Sequence, residues 1–432
     1  MRLMAERASA HAQKGELAAA RELYAQILDI DPGHPEAINF AAIAALQTGD
    51  ARRSVELLKR GIAANPGDAM LHKNLGLAYR ANGDMQAALA AFTDALRLKP
   101  DFVTAALNQG ALLAELDRVE EALGAYLQAF EAADASGQFL NLSAIPSGVR
   151  VLAEKGFTLL RDARLAVFHE ALAPLEREHG AAALARVWQC LHAYLGMLPQ
   201  PPLGSLQRPT FMSFPGLRNR AWFEREEFPW MQDLERHTDG IREELLAVLA
   251  ADVGFRPFIQ VPKQHPGAAY WRQLNDSPSW NAFFFYRDGE RHADNHARCP
   301  VTSAALDAAP LIRVGEHSPE TFFSVLKAGA HIPPHTGVAN IRLVVHLPLI
   351  VPPDCGIRVG SETRGWEEGR CIVFDDTFEH EAWNKSGQTR VVLICDVWNP
   401  YLTAAERAGM RAAIEALGRF NRAHGGKSQA LA

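Results

Sequence analysis

The feature that most limits how this chain can fold is a period of 34 residues in its first third. Three sets of positions keep that spacing, namely turn residues, small residues and large hydrophobic residues: Gly15, Gly49, Gly83 and Asp117; Ala20, Ser54, Ala88 and Ala122; Tyr24, Leu58, Phe92 and Tyr126. Pro32, Pro66 and Pro100 close the first three units, and proline is a strong signal for the end of a helix. The pattern predicts pairs of amphipathic helices that pack small residues against large ones.

Helix pairs with this period resemble the tetratricopeptide repeat, most clearly in the run from Leu75 to Tyr79. We predict that residues 1–136 form about four repeats, wound into a right-handed superhelix. Its concave face is expected to bind a protein or peptide partner. An ordinary helical bundle with accidental spacing is the alternative, and agreement of four units at three positions argues against it.

The remainder of the chain predicts a second architecture. Residues 137–204 lose the period but keep helical spacing, and we interpret them as a helical cap or linker that ends in the Pro-rich segment 198–204. Apolar runs separated by turns dominate beyond about residue 258, as in an antiparallel sandwich or barrel. We assign residues 205–410 to this domain, and residues 411–432 to the end of a C-terminal helix and a flexible tail.

Composition narrows the functional classes. A formal net charge of −6 gives no footprint for nucleic acid or an anionic membrane. The first 20 residues lack the apolar core of a signal peptide, and no run reaches transmembrane length. The 5 cysteines contain no CxxC motif, which favours reduced thiols and a cytoplasmic location. Nothing in the sequence predicts the oligomeric state.

Candidate site residues concentrate between positions 329 and 397. The His-, Pro- and Gly-rich segment 329–337 is typical of an irregular loop. From Asn340 to Leu349 the residues alternate, which predicts a half-buried strand with Arg342, Val344 and His346 on one face. His380 follows a second apolar run, and Arg390 opens a third.

Two histidines are candidates for binding a metal. His335 is expected just before a strand and His380 just after one, so that two sheet ends bring both imidazoles together, where they suit a divalent ion. His331 is excluded as a co-ligand because Pro333 and Pro334 prevent a helix, and on an extended chain it lies roughly 13 Å from His335. A structural role for both histidines is the alternative, and spacing alone slightly favours it.

Arg390 shifts the balance toward a functional site. An arginine in an apolar strand is costly to bury unless it meets an anion, and its planar fork suits a carboxylate. A structural ion pair with an aspartate at position 375, 376 or 396 is the alternative. His346 and Arg342 would add donors to the same pocket, and Ser324 a hydroxyl.

Three separated segments, residues 332–347, 363–369 and 374–384, resemble the aspartyl/asparaginyl β-hydroxylase family, and the similarity runs from about Phe214 to Thr403. Members of that family are iron(II)- and 2-oxoglutarate-dependent dioxygenases on a double-stranded β-helix of the jelly-roll or cupin type, and some carry tetratricopeptide repeats. The resemblance implies an enzyme that uses iron(II), 2-oxoglutarate and O2 to hydroxylate a C–H bond. The expected substrate is an Asp/Asn-type β-carbon of a peptide or protein recruited by the repeats.

The resemblance also implies roles for individual residues. His335 and His380 would be the catalytic iron ligands. Arg390, Ser324, His346 and Trp280 would form the cosubstrate pocket. Arg342 is a candidate for holding an acidic group of the substrate.

The sequence departs from the general pattern of such dioxygenases at two positions. Their third iron ligand, a carboxylate, would stand at position 337, which is glycine here; the β-hydroxylase family shares this absence, so water would take that position. Asp375 or Glu379 is a less favoured substitute. Val344 stands where vertebrate enzymes have arginine. That change keeps open a hydroxylase of a small molecule or lipid acyl group, and a non-catalytic repeat scaffold with a carboxylate-binding β domain is a further alternative.

Overall fold

The computed structural model describes residues 1–136, 145–261 and 269–426. It divides into two compact units, residues 1–163 with 423–426, and residues 164–422. The first unit begins with eight helices: α1 (Arg2–Gln13), α2 (Leu17–Ile30), α3 (Pro35–Gln47), α4 (Ala51–Ala64), α5 (Ala69–Ala81), α6 (Met85–Leu98), α7 (Val103–Glu115) and α8 (Val119–Ser136). Part of the predicted linker, residues 137–144, and most of the predicted flexible tail lie outside the described residues.

The 34-residue period is visible in the backbone of the first unit. The four predicted turn residues have positive φ angles, 78° at Gly15, 82° at Gly49, 83° at Gly83 and 58° at Asp117. This left-handed conformation ends a helix and reverses the chain. The small residues that repeat five positions later are buried without exception. The prediction of tetratricopeptide repeats is therefore confirmed by the helix pattern.

Close packing between the paired helices α5 and α6 makes a test of the repeat structure. A Cβ at Gly76 would lie 2.6 Å from the Phe92 ring, so we expect Gly76→Leu to lower the free energy of unfolding by about 1–3 kcal/mol through overpacking. Urea unfolding followed by far-ultraviolet circular dichroism measures this. Gly67→Leu is the matched control, since a Cβ there meets no atom within 4 Å; equal destabilisation by both variants would contradict the packing.

The helix α9 (Ser147–His179) contributes to both units. In the first unit, Phe157 of α9 stacks on Phe130 with 4.0 Å between ring centroids. In the second unit, Phe168 and Leu172 belong to a buried cluster. The chain continues as helix within the predicted cap, through α10 (Ala185–Tyr194). The division between the units falls inside α9 rather than at the Pro-rich segment.

The second unit is built from two antiparallel sheets with flanking helices. Its strands are β1 (Trp222–Phe223), β2 (Phe255–Pro257), β3 (Trp280–Arg287), β4 (Glu290–Arg291), β5 (Thr321–Leu326), β6 (His331–His335), β7 (Arg342–Ile350), β8 (Cys355–Val359), β9 (Glu362–Arg364), β10 (Ile372–Phe374), β11 (His380–Asn384) and β12 (Arg390–Trp398). Its later helices are α11 (Met231–Glu235), α12 (Thr238–Ala251), α13 (Ala293–Arg298), α14 (Pro300–Ala308) and α15 (Ala404–Ala423).

The larger sheet has the order β1-β10-β7-β12-β5-β3-β2, with β4 paired to β3, and the smaller sheet has the order β6-β11-β8-β9. One face of the larger sheet packs on α12 and α14, with Leu343 and Val345 of β7 in that core. Side chains from its other face form a separate core with the smaller sheet, and this core includes Val344, Ile357 and Ala382. This arrangement of sheets is compatible with the predicted jelly roll.

Two local predictions in this region are wrong. The 340s strand is buried on both faces rather than half-buried, because the smaller sheet covers the face that carries Arg342 and His346. The segment 329–337 contains strand β6 rather than only loop. The prolines of this segment favoured a loop in the prediction. They are compatible with a strand because β6 lies at the edge of its sheet, where a residue without an N–H is tolerated.

Helix α15 continues past residue 410 to Ala423, as the predicted end of a C-terminal helix within residues 411–432 requires, and its apolar face is buried. Met410, Ile414 and Leu417 pack into the same cluster as Phe168. The five cysteines, all within the described residues, are free thiols. None of the helices described is both long and apolar enough to cross a membrane.

Candidate active site

The two candidate metal ligands lie on neighbouring strands of the smaller sheet. His335 ends β6 and His380 begins β11, and the two residues are direct cross-strand partners. Their ring centroids are 4.1 Å apart. The prediction that the fold brings them together agrees with this placement. The predicted placement of His335 before a strand and of His380 after one was wrong. His335 is the last residue of β6, His380 is the first residue of β11, and the pairing of these strands brings them together.

Hydrogen bonds orient both imidazoles in the same way. Nδ1 of His335 lies 2.9 Å from the Pro333 carbonyl oxygen, and Nδ1 of His380 lies 3.0 Å from that of Phe378. A carbonyl only accepts, so each Nδ1 carries the proton and each Nε2 keeps a lone pair. Burial lowers the pKa of His335 to about 3, with a contribution from His380, and that of His380 to about 4. Both rings are therefore neutral near pH 7, as metal ligands must be.

The Asp376 carboxylate fills the space that a side chain at position 337 would need. A Cβ at Gly337 would overlap the Asp376 carboxylate, so an acidic side chain has no room at position 337. Asp376 Oδ1 is buried and has no hydrogen-bond partner in the described part of the chain. In the sequence, Asp376 stands out only as a possible partner of Arg390. No signal separated it from Asp375, because the two acids are adjacent.

The two acids considered as substitute ligands are engaged elsewhere. Asp375 accepts hydrogen bonds from the Thr377 backbone N–H at 2.9 Å and from Gln207 at 3.2 Å. Glu379 forms an ion pair with Arg358 at 2.9 Å. Neither side chain lines the cavity that contains His335 and His380. The geometry does not support that less favoured suggestion, and the acids that line the cavity are Glu320, Asp376 and Asp396.

Arg390 is fully buried at the cavity wall, 1% exposed, without an acidic partner among the described residues. Its closest polar contacts are the Ser324 hydroxyl and carbonyl oxygens, each at 3.4 Å from Nη1, and its Nε has no partner in the described structure. Burial lowers the pKa of Arg390 to about 10. The structural ion pair proposed as an alternative for Arg390 is therefore absent from the part of the chain that is described.

The other predicted cosubstrate residues surround Arg390. The Trp280 indole N–H donates to Ser324 Oγ at 3.0 Å. His346 Nδ1 accepts from the indole N–H of Trp366 at 3.2 Å, and the pKa of His346 is held well below its usual value by burial and by the charge of Arg390. The Arg390 guanidinium lies 5.0 Å from the Trp366 ring centroid. Trp366 lies within residues 363–369, one of the three segments that resemble the β-hydroxylase family, but it was not predicted as a site residue.

Arg342 lines the same cavity, but its charge is already paired. Its Nη1 lies 2.8 Å from Asp396 and its Nη2 lies 2.6 Å from Asp376. Burial by itself lowers the pKa of Arg342. The Asp376 and Asp396 carboxylates raise it by more, so the net shift of the Arg342 pKa is upward. The geometry does not support the predicted role of Arg342 in holding an acidic substrate group, because a new anion would compete with two carboxylates.

Removing Arg342 is expected to destabilise the second unit. Arg342→Met leaves two buried carboxylates without their cation, which costs about 3–5 kcal/mol when one partner of a buried pair is removed. Urea unfolding followed by tryptophan fluorescence measures the loss. Arg364→Met is the control, since Arg364 is a partly exposed arginine paired with the exposed Glu362, and we expect a change below about 0.5 kcal/mol. Equal midpoints for both variants would contradict the buried pairing.

The site lies in a part of the chain that resembles known proteins. The family profile described as aspartyl/asparaginyl beta-hydroxylase matches residues 235–400, and that of the tetratricopeptide repeat matches residues 1–35, 41–101 and 75–137. The human protein called aspartyl/asparaginyl beta-hydroxylase is 27% identical over 372 residues, which cover 84% of this chain and 43% of the human protein. The mouse protein of that name matches equally well, with 44% of its length covered. The chain thus spans less than half the length of these relatives.

Two further similarities differ in weight. An ornithine lipid ester-linked acyl 2-hydroxylase from Rhizobium tropici is 32% identical over 197 residues, 45% of this chain and 66% of that protein. A solved structure of the MamA protein is 20% identical, covers 40% of this chain and 93% of its own, and has a TM-score of 0.29. A score that low supports no inference.

The fold and the site together define the class of protein. A paired-histidine cavity between two antiparallel sheets lies within a matched hydroxylase domain, preceded by a helical repeat array. Residues 235–400 of the chain match the aspartyl/asparaginyl beta-hydroxylase family, tetratricopeptide repeats precede them, and the relatives named above are hydroxylases.

Proposed function

We propose that the second unit is an iron(II)- and 2-oxoglutarate-dependent dioxygenase that hydroxylates a C–H bond. The observation that carries the proposal is one cavity of about 290 Å³ lined by three neutral imidazoles, of which His335 and His380 are cross-strand partners, and by a buried arginine, Arg390, that has no acidic partner among the described residues. Nε2 of His335 and of His380 would hold the metal, and the remaining positions would go to non-protein ligands. The described residues contain no group of three His, Cys, Asp or Glu side chains arranged to hold an ion, so two imidazoles are the protein's contribution.

Arg390 fits the far carboxylate of the cosubstrate. Its buried charge has no counter-ion in the described structure, and a carboxylate would supply one through two parallel hydrogen bonds. Ser324 would donate a third, while its oxygen accepts from Trp280. Bound iron(II) would supply the oxidising chemistry, whereas these side chains bind, orient and exclude water.

The stoichiometry of the proposed reaction determines its assay. One oxygen atom of O2 enters the substrate C–H bond as a hydroxyl group, and the other enters succinate as 2-oxoglutarate loses CO2. Anaerobically reconstituted protein should form succinate slowly after O2 is admitted, even without substrate, because cosubstrate oxidation proceeds in part uncoupled. No succinate, with iron and 2-oxoglutarate shown to bind, would favour the alternative of a carboxylate-binding scaffold.

The repeats are proposed to bind a protein or peptide partner. The first helices of consecutive repeats lie side by side, and the Asn74 amide donates to Asn39 across α5 and α3 at 2.7 Å. Stacked helices of this kind offer an extended surface for a chain. Hydrogen–deuterium exchange of the full chain with a candidate protein should show protection in α3 and α5. Protection confined to residues 205–410 would contradict this role.

A further inference from the structure

His346 is the third imidazole in the described lining of the cavity, and its hydrogen bond differs from those of His335 and His380. The indole nitrogen of Trp366 lies 3.2 Å from Nδ1 of His346. An indole N–H only donates, so Nδ1 of His346 accepts and carries no hydrogen. The ring is neutral, because an imidazolium has a hydrogen on both nitrogens, and its single N–H is at Nε2. His335 and His380 have the opposite tautomer, with the hydrogen at Nδ1.

The N–H at Nε2 makes His346 a hydrogen-bond donor at the cavity. His346 is 6% exposed and lines the cavity together with Arg390. Nδ1 makes its only hydrogen bond within the described part of the chain. A nitrogen that carries a hydrogen has no lone pair for a metal. Polar groups at this depth are normally paired, and an anionic oxygen held by Arg390 would be a partner that both side chains share.

Trp366 is placed to impose this tautomer. Its ring is 9% exposed and faces the His346 ring, with 6.0 Å between centroids and an interplanar angle of 24°. The guanidinium of Arg390 lies 5.0 Å from the centroid of the same indole. None of the described cavity wall is formed by Trp366, so it can influence a bound ligand only through its neighbours.

The segment that follows the indole is bonded to β7, the strand that carries His346. The Gly369 N–H donates to the carbonyl oxygen of Pro348 at 2.9 Å. The side chain of Glu368 accepts from the backbone N–H of Val351 at 2.8 Å. Pro348 lies within β7, and Val351 directly follows that strand. These bonds keep the indole beside the imidazole, so backbone contacts set the direction of the indole N–H.

We propose that Trp366 is a positioning residue that holds His346 as the Nε2–H tautomer, and that this N–H donates to a carboxylate oxygen of the cosubstrate. The proposal rests on the function proposed above and specifies how its site uses three imidazoles. His335 and His380 offer lone pairs to a metal. His346 offers a hydrogen to an anion, so it is not a third metal ligand.

The tautomer can be measured in the full-length protein without metal or cosubstrate. Long-range proton–nitrogen correlation spectra of protein with isotope-labelled histidine rings distinguish a nitrogen that carries a hydrogen from one that does not. The signal lost in His346→Leu belongs to His346. We expect its hydrogen at Nε2 near pH 7. A hydrogen at Nδ1, or on both nitrogens, would overturn the proposal.

Trp366→Phe removes the indole N–H and keeps an aromatic ring. In manganese-loaded protein we expect the affinity for N-oxalylglycine, an unreactive analogue of 2-oxoglutarate, to fall by roughly fivefold, as for loss of one hydrogen bond. The spectrum of His346 should gain the Nδ1–H tautomer. Cobalt affinity should change by less than about twofold, because both metal ligands keep their carbonyl partners. An unchanged tautomer, or an equal loss of cobalt affinity, would overturn the role of Trp366.

Trp222→Phe is the matched control for this variant. Trp222 belongs to the same buried cluster as Trp366, and its indole N–H has no partner in the described structure. Its replacement should leave the affinity for N-oxalylglycine within about twofold of the wild-type value, because no hydrogen bond is lost. An equal fall in both variants would trace the effect to ring size and overturn the proposal.

His346→Leu tests whether the indole acts through the imidazole. Without His346 the indole N–H has no acceptor to lose, so adding Trp366→Phe should change the affinity for N-oxalylglycine by less than about twofold. A further fivefold loss would show that the indole acts independently of His346 and would overturn the proposal. If His346→Leu does not fold, the wild-type tautomer, assigned by its change in Trp366→Phe, still decides.

Failure of the general function would look different. If N-oxalylglycine does not bind the manganese-loaded wild-type protein, the dioxygenase proposal fails, and donation from His346 to the cosubstrate fails with it. If N-oxalylglycine binds and His346 carries its hydrogen at Nδ1, the dioxygenase proposal stands and only the role of Trp366 is refuted.

Discussion

Replacing His380 by alanine should remove metal binding and abolish succinate formation. His380 and His335 are cross-strand partners with neighbouring rings. The Nε2 atom of each keeps a lone pair that can bind a metal. Loss of one imidazole leaves a single histidine to bind the metal. Replacing a residue that only hydrogen-bonds to a metal ligand already lowers metal affinity by about 10–100-fold. We therefore expect loss of a ligand itself to lower it by at least roughly 100-fold. Cobalt(II) titration followed by visible absorption measures the affinity directly, and succinate release measures turnover. His335→Ala should behave in the same way.

His331→Ala is the matched control for both variants. His331 lies in the same strand as His335 but is exposed, and its Nε2 lies 2.8 Å from Glu381. Glu381 would keep its second partner, Arg358, at 2.6 Å, so the strand should not be disturbed. We expect metal affinity within about twofold of the wild-type value, as for surface substitutions generally. If His331→Ala lost as much affinity as His380→Ala, the assignment of ligands would be wrong.

The repeat array could be predicted from the sequence because its determinants are local. A turn residue with positive φ, a small residue five positions later and a proline after the second helix all act within one 34-residue unit. The turn residue and the small residue repeat in four units and the proline in three, so chance agreement at one position matters little. In the second unit, the alternation from Asn340 to Leu349 likewise predicts a strand, and β7 covers Arg342–Ile350.

The site was harder to predict because its chemistry depends on contacts between distant segments. Arg342 and Arg390 both look like buried arginines in apolar strands. The sequence offers a structural pair only as the alternative for Arg390 and predicts substrate binding for Arg342, which is the arginine that the structure shows paired. The partners of Arg342 are 34 and 54 residues away, and only the packing of β7 beside β12 brings Asp396 within reach. Likewise, adjacent acids at 375 and 376 differ only in the side of the chain to which they point.

Arg390→Met should produce opposite effects on stability and on cosubstrate binding. In the protein without cosubstrate, Arg390 is a buried cation without a counter-ion in the described structure, and burying such a charge opposes folding. Methionine fills a similar space without charge, so the midpoint of thermal unfolding should stay the same or rise. The affinity for 2-oxoglutarate should fall by about 30-fold or more, since removing one member of a buried charge pair costs at least about 2 kcal/mol.

That combination separates a binding arginine from a structural one. Arg342→Met is expected to lose about 3–5 kcal/mol of stability because its carboxylates are already in place, whereas the anion for Arg390 would arrive only with the cosubstrate. Calorimetric titration with 2-oxoglutarate on manganese-loaded protein, combined with thermal unfolding with and without it, gives both quantities. Arg390→Lys should lie between, because it keeps the charge but loses the planar fork. An Arg390→Met protein that is strongly destabilised without cosubstrate, yet binds 2-oxoglutarate normally, would make Arg390 structural and remove the observation on which the dioxygenase proposal depends.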